Sequence, residues 1–320
     1  MTITTYTIKE PTRSCLFLND LTVCDHAYID DKGCIIGGSF NPCFEVSGVP
    51  DPTEKVVVDF SSIKKSLKRL IDAHTFDPYE NGFDHKVWII EGYSLITNIV
   101  RHGDTTISIY TPTMTLDLPS DAVKLIPVMG GRIPTYSDEY IGAAFDEYLQ
   151  DHLTNMYPEI DIHIKCSNTT NIHVPNAEIR SHAKMFRYVH GLKDSTSYGC
   201  NNIAHGHGSF IAADKNPNNI LQTIADELDN TVFVRQDNVA TLHADDDHTS
   251  EITIRYRTDR GGFLMTLDVR AHKVVILNTE TTVEYLTQYI KTKFGQQMKD
   301  LGISTFYVSE GLSKGAIETL

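Results

Sequence analysis

His205 and His207 stand two residues apart in the stretch from Tyr198 to Phe210, so on a β-strand both imidazoles would point to the same face. His190 closes another β-like run, Lys184 to Val189, and pairing of the two runs would complete a set of three nitrogens. Three neutral imidazoles with a fourth position left to water or substrate form the donor set of a catalytic rather than a structural zinc site. Glycine on both sides of His207 lets a ligand approach the backbone closely. Cys200 lies nearby in the sequence, either as a fourth ligand or as a thiolate free to act as a base. The competing reading is plain: histidines two apart also occur on ordinary exposed strands, and the chain has 14 histidines. His243, Asp245, Asp246, Asp247 and His248 offer further ligand atoms, but such an acidic run reads as a solvated loop. His173, His182 and His272 read as ordinary strand or loop residues.

These residues need a scaffold, and 320 residues with 41% hydrophobic content can bury a sizeable core, most simply as two domains. The formal charge of −14 argues against a large nucleic-acid footprint, while leaving room for an anionic small molecule in a locally cationic pocket. No apolar run reaches the length of a membrane span, and no charged-then-apolar leader opens the sequence, so a soluble, cytoplasmic protein is expected. The six cysteines show no CxxC pair, which suits a reduced compartment without a disulfide framework.

Short apolar runs broken by Gly and Pro predict strands at 14–21, 34–46 and 56–60. Ile63, Leu67, Leu70 and Ile71 fall at helical spacing after a serine start at Ser61. A charged cluster, Phe83-Asp84-His85-Lys86, enters an apolar strand ending at Ile90, and 91–128 holds several more β-like runs. A helix is predicted from about Ile133 to Leu153, a strand over 159–165, and a linker over 166–180. The order then repeats: strands at 184–190 and 207–213, a helix at 217–228, β-runs around 251–257, 262–269 and 273–277, a helix over 282–298 and a strand at 304–308. A repeat of about half the chain signals duplication of a whole domain rather than a solenoid.

His190 followed by Cys200-Asn201-Asn202-Ile203-Ala204-His205-Gly206-His207 resembles the zinc motif of the 6-pyruvoyltetrahydropterin synthase and 6-carboxytetrahydropterin synthase family. Val57 to Lys64 is similar to that family's first helix entry, Asp84-His85 to its catalytic pair, Asn278 to Leu286 to its second helix start, and Val308-Ser309-Glu310 to the strand whose glutamate holds the pterin. The resemblance implies an α+β fold of tandem tunnelling-fold (T-fold) domains, 1–175 and 176–320. Each would be an antiparallel sheet with two helices on one face, assembling into a β-barrel. It is divided between the halves. The first keeps Asp84-His85 but has Gly38-Ser39-Phe40 where the zinc motif should stand, with His26 and Cys34 as candidate remnants. The second keeps the three histidines, Cys200 and Glu310 but reads Glu227-Leu228-Asp229-Asn230 where the acid-base pair should fall. Each half lacks what the other keeps, so one composite site is expected.

By that resemblance, Zn2+ held by His190, His205 and His207 acts on 7,8-dihydroneopterin triphosphate. Cys200, Asp84 and His85 serve as the acid-base groups, and Glu310 binds the pterin. Cleavage to 6-carboxy-5,6,7,8-tetrahydropterin, on the way to deazapurines such as queuosine, is the expected reaction. Asn201-Asn202 is similar instead to the pyruvoyl branch, which eliminates triphosphate, and the Cys200-to-His205 spacing matches neither branch. A non-catalytic pterin- or purine-binding or structural protein is the rival from another class. A homo-oligomer formed through barrel closure is expected, with no nucleic acid and no membrane as partners.

Overall fold

The computed structural model describes residues 9–158, 161–174, 176–191, 205–245, 248–258 and 261–320, together with Thr5 and Thr7. In the first half the order is β1 (Ser14–Leu18), β2 (Cys24–Ile29), β3 (Ile35–Gly48), α1 (Phe60–Ile71), β4 (Lys86–Ile90), β5 (Asn98–His102), β6 (Thr106–Tyr110), β7 (Met114–Pro119), β8 (Val123–Ile126), α2 (Asp138–Met156) and β9 (His163–Thr169). The second half follows with α3 (Ala177–His182), β10 (Lys184–His190), β11 (His205–Ala213), α4 (Ile220–Leu228), β12 (Thr231–Arg235), β13 (Val239–Asp245), β14 (His248–Thr258), β15 (Gly261–Asp268), β16 (Lys273–Leu277), α5 (Val283–Asp300), β17 (Thr305–Glu310) and β18 (Lys314–Thr319). The result is a mixed α+β fold. Among the described residues no helix is long and apolar enough to cross a membrane.

Three sheets carry it. The first half builds the order β1-β3-β2-β4-β8, with β9 also on β3, and the second builds β16-β12-β10-β11-β17-β18. The third, β13-β14-β15-β7-β6-β5, takes three strands from each half and joins them through β7 and β15. The half-sheets are mixed, which corrects the expectation of purely antiparallel ones. In the first, β2 pairs β4 and β4 pairs β8 in parallel; in the second, β10 pairs β12 and β12 pairs β16 in parallel. Helix α1 joins β3 to β4 and helix α4 joins β11 to β12, strands that flank β2 and β10 and run antiparallel to one another, so the strand after each helix lies parallel to β2 or β10. All three sheets are open, and no closed barrel is found among the described residues.

Local chemistry explains the helices. Asp59, rather than a serine, caps α1 by accepting from Ser62 N at 2.7 Å, which is why 56–58 turn instead of forming a strand. Ile63, Leu67, Leu70 and Ile71 then bury one face. Ser137 caps α2, and Tyr140, Phe145, Leu149 and Leu153 pack that helix with α1 against the first sheet. α4 and α5 cover the second sheet in the same way through Leu221, Ile224, Leu286 and Ile290. A third core is shared: Ala27, Val87 and Ile89 meet Val189, Val232 and Val234 together with the inner face of the joint sheet.

Where the halves meet, the β2-β3 hairpin lies on the β10-β11 hairpin, backbone against backbone. A Cβ on Gly37 would sit 2.5 Å from His207 N, and one on Gly206 would sit 2.7 Å from Gly37 Cα. Stacked sheets ordinarily stand about 10 Å apart to house side chains. Glycine in both hairpins removes that spacer and sets strands of one half directly against the strand of the other that carries His205 and His207.

Candidate functional site

β10 and β11 pair antiparallel with Tyr188 opposite His207 and His190 opposite His205. That register puts the three histidines together on one face, as the two-residue spacing predicts. All three are buried. One ring nitrogen from each lies within 4.8 Å of the others, and His190 Nε2 is 3.2 Å from His207 Nε2. Burial, helped by the neighbouring His207, pushes His190 down to about 3 and His205 well below the usual histidine range. Both imidazoles are therefore neutral, the form that binds metal. Thr281 Oγ donates to the Gly191 carbonyl at 2.9 Å and lies 3.2 Å from His190 Nδ1, an arrangement that leaves His190 Nε2 for the cluster. The donor set fits a zinc ion.

The first half delivers Asp84 and His85 to this cluster. Asp84 and His85 sit at the entrance to β4, with His85 in the left-handed backbone region at φ 57°. His85 Nδ1 hydrogen-bonds His205 Nε2, and its Nε2 is 3.4 Å from Asp84 Oδ2. Burial, reinforced by the charge of Asp25, raises Asp84 to about 8. Burial lowers His85 to about 4. At neutral pH the pair is thus an uncharged carboxyl beside an uncharged imidazole. From the second half, Glu310 at the end of β17 places Oε1 3.6 Å from His207 Nε2 and Oε2 3.4 Å from Lys314 Nζ.

The structure therefore brings together His190, His205, His207, Asp84, His85 and Glu310 within one chain. Cys200, with Asn201 and Asn202, lies outside the described residues, as do Asp246 and Asp247 of the acidic stretch. His173 and His182 lie outside the cluster, near Asp20 and the Ala213 carbonyl. His272 is likewise apart, its Nδ1 3.0 Å from the Asp268 carbonyl.

Asp25 is part of the site and has no counterpart in the sequence reading. It is buried, accepts from Ser39 Oγ and faces His207 Nδ1 at 3.4 Å. With His85 and His205 it forms a second group whose ligand atoms lie within 4.8 Å. Burial opposes its ionisation, but His207, His85 and Ser39 outweigh that and hold its carboxyl well below the usual range. The available signal was an acidic residue next to a histidine inside the short run from Cys24 to Ile29.

Hydrogen bonding also fixes how the halves correspond. Asp84 Oδ1 accepts from Asp25 N at 2.8 Å and His85 N donates to Asp25 O at 2.6 Å. In the second half Asp229 Oδ1 accepts from Arg187 N at 2.8 Å and Asn230 N donates to Arg187 O at 2.8 Å. Asn230 repeats the left-handed backbone at φ 59°. Asp84-His85 thus corresponds to Asp229-Asn230, and Asp25 to Arg187. Counting along the pairings, the counterparts of His190, His205 and His207 are Tyr28, Ile36 and Gly38. That corrects the reading of Gly38-Ser39-Phe40 as the replaced motif and of His26 as a remnant. His26 corresponds to Tyr188; it stacks on Trp88 with ring centres 3.8 Å apart, and its Nε2 hydrogen-bonds the Tyr136 hydroxyl. At this second position Tyr28 stacks on Tyr136, Arg187 pairs with Asp229, and a cavity of about 460 Å³ remains.

Among solved structures the chain is similar to a catalytic-residue mutant of Plasmodium vivax 6-pyruvoyltetrahydropterin synthase, at 18% identity over 50% of this chain and 93% of that one, with a TM-score of 0.37. The Plasmodium falciparum 6-pyruvoyl tetrahydropterin synthase matches at 16% identity over 50% of this chain and 98% of that one, with a TM-score of 0.34. An uncharacterized protein from Wolinella succinogenes matches at 13% identity over 43% and 96% respectively, with a TM-score of 0.28. No family profile and no curated protein matches the chain.

Proposed function

We propose that the chain is a zinc-dependent lyase that converts 7,8-dihydroneopterin triphosphate to 6-carboxy-5,6,7,8-tetrahydropterin, at a site composed from two tandem units, 1–175 and 176–320. The observation that carries the reading is the contact of His85, from the first half, with His205, from the second, in a single chain. His190, His205 and His207 would hold the zinc, which supplies polarisation of the substrate's side-chain oxygens when bound. His85, kept neutral by burial, is in the form that accepts a proton, and Asp84 beside it completes the exchanging pair. Glu310 holds a carboxylate at a fixed strand end, suited to accept hydrogen bonds from the NH groups of a pterin ring. Cys200 is assigned as the second acid-base group on the strength of the sequence motif alone. The same reading takes the working form to be a cytoplasmic homo-oligomer in which copies close their open sheet edges into a barrel.

The test is incubation of the zinc-loaded chain with dihydroneopterin triphosphate, with products followed by mass spectrometry and His85→Ala in parallel. A carboxy product that disappears with His85→Ala supports the assignment. A pyruvoyl product would move the chain to the triphosphate-eliminating branch. A folded, zinc-bound chain without turnover would leave a binding protein.

A further inference from the structure

The geometry points to Asp25 as the positioning residue of His207, so that the first half controls metal binding by the second. The inference rests on the reading of His190, His205 and His207 as metal ligands. His207 directs Nε2 into the cluster, 3.2 Å from His190 Nε2. Its Nδ1 has no hydrogen-bond partner at ordinary geometry and faces Asp25 Oδ1 at 3.4 Å. A metal-ligating histidine ordinarily gives its second ring N–H to such a group, which fixes the tautomer and makes the ligand more basic. For His207 the carboxylate facing Nδ1 is one the other half brings across the hairpin contact.

Asp25 is itself held firmly. Ser39 donates its hydroxyl to Asp25, and the same oxygen accepts from Gly208 N at 2.9 Å, so one serine ties Asp25 to the strand that carries His207. Gly311 leaves the carboxylate its room, since a Cβ there would lie 2.6 Å from Asp25 Oδ1. The main chain of Asp25 meanwhile binds Asp84 and His85. One residue thus connects the metal ligands to the acid-base pair. The matching position in the other half is Arg187, whose cation suits Asp229 and would repel a metal. The chain should bind one metal ion, not two.

The experiment titrates the metal-free full-length chain with Zn2+ against a competing chelator, for wild type, Asp25→Asn and Ser39→Ala. Melting of the metal-free forms establishes that each is folded, and visible spectra of the Co2+-loaded forms report the geometry at the ligands. Asp25→Asn should weaken zinc binding about 10- to 100-fold. Ser39→Ala should weaken it less, and both should shift the Co2+ bands. A structural role alone would lower the melting temperature without moving affinity or spectrum. Folded Asp25→Asn binding zinc within about twofold of wild type would overturn the inference. Should that variant not fold, unchanged affinity and spectrum in Ser39→Ala would overturn it. Wild type that binds no zinc removes the metal reading itself, whereas zinc binding without turnover touches only the proposed reaction.

Discussion

Gly37→Ala tests whether the composite site depends on backbone contact between the halves. The added Cβ would lie 2.1 Å from Tyr188 O and 2.5 Å from His207 N, whereas ordinary contact begins at 3.4 Å. Both neighbours are main-chain atoms, so no rotamer change relieves the clash, and the hairpins must separate by about 1 Å. A shift of that size lengthens the Gly208 N to Ser39 Oγ bond from 2.9 Å beyond hydrogen-bond range. It also withdraws Asp25 and His85 from His207 and His205. Overpacking costs about 1–3 kcal/mol and the lost buried hydrogen bond about 1 kcal/mol, so a total near 2–4 kcal/mol is expected. At about 2–4 °C per kcal/mol, the melting temperature should fall by roughly 4–16 °C. Gly130→Ala is the control, because a Cβ there meets nothing within 4 Å. Thermal melting followed by the fluorescence of Trp88, the one tryptophan, and zinc competition on both variants supply the readouts. Gly37→Ala that melts with the Gly130→Ala control and keeps wild-type zinc affinity would refute the direct-contact argument.

The metal-free protein should lose stability as pH falls below about 6.5. His26 and His190 are pushed to about 3, His85 to about 4 and His205 well below the usual range, each chiefly by burial. Between those values and 6.5 the unfolded chain binds protons that the folded one refuses, so unfolding gains from acid. Asp84, raised to about 8, works the other way, holding a proton when folded that it releases when unfolded above about 4. Four histidines, about three-quarters protonated at pH 6 and nearly fully at pH 5 in the unfolded chain, less one aspartate leave about two to three protons, or roughly 3–4 kcal/mol per pH unit. Urea midpoints that stay level over that range would contradict it. Zinc at about 1,000 times its Kd should stabilise the chain by about 4 kcal/mol and raise Tm by roughly 8–16 °C. A chelator should reverse the shift, and His207→Ala should show none in differential scanning.

Much of this was legible because a local rule governed it. Histidines at 205 and 207 share a face by strand geometry, and α1 follows from four apolar residues at helical spacing. β2 was illegible for a physical reason. All six of its residues are buried between packed layers, so no polar-apolar alternation marks it, and Asp25 and His26 inside it look foreign to a strand. β12 is hidden likewise, with four of five residues buried. Asp25 gains its role only through a contact 182 residues away in the chain, which no local pattern encodes. The register error at Gly38 has the same origin: a slip of two residues keeps every side chain on its face, so alternation does not reveal it, and only the pairing partners fix it.

The correspondence between halves sets a position with three clustered histidines against one without them. Both retain the same scaffold, an aspartate bonded to a strand N–H and a following residue in left-handed backbone. The difference lies in what that scaffold aims. Asp25 presents its carboxylate to His207 of the histidine cluster. Arg187 presents a cation to Tyr28 and Asp229, and the stacked Tyr28 and Tyr136 occupy the face where ligands would converge. A cation at either position acts on charge alone: it belongs with an aspartate in one half and would expel a metal from the other. The strands of each half face the turn of the other, so the three histidines meet Asp84-His85 at one position, while Tyr28 and Gly38 meet Arg187 and Asp229 at the other.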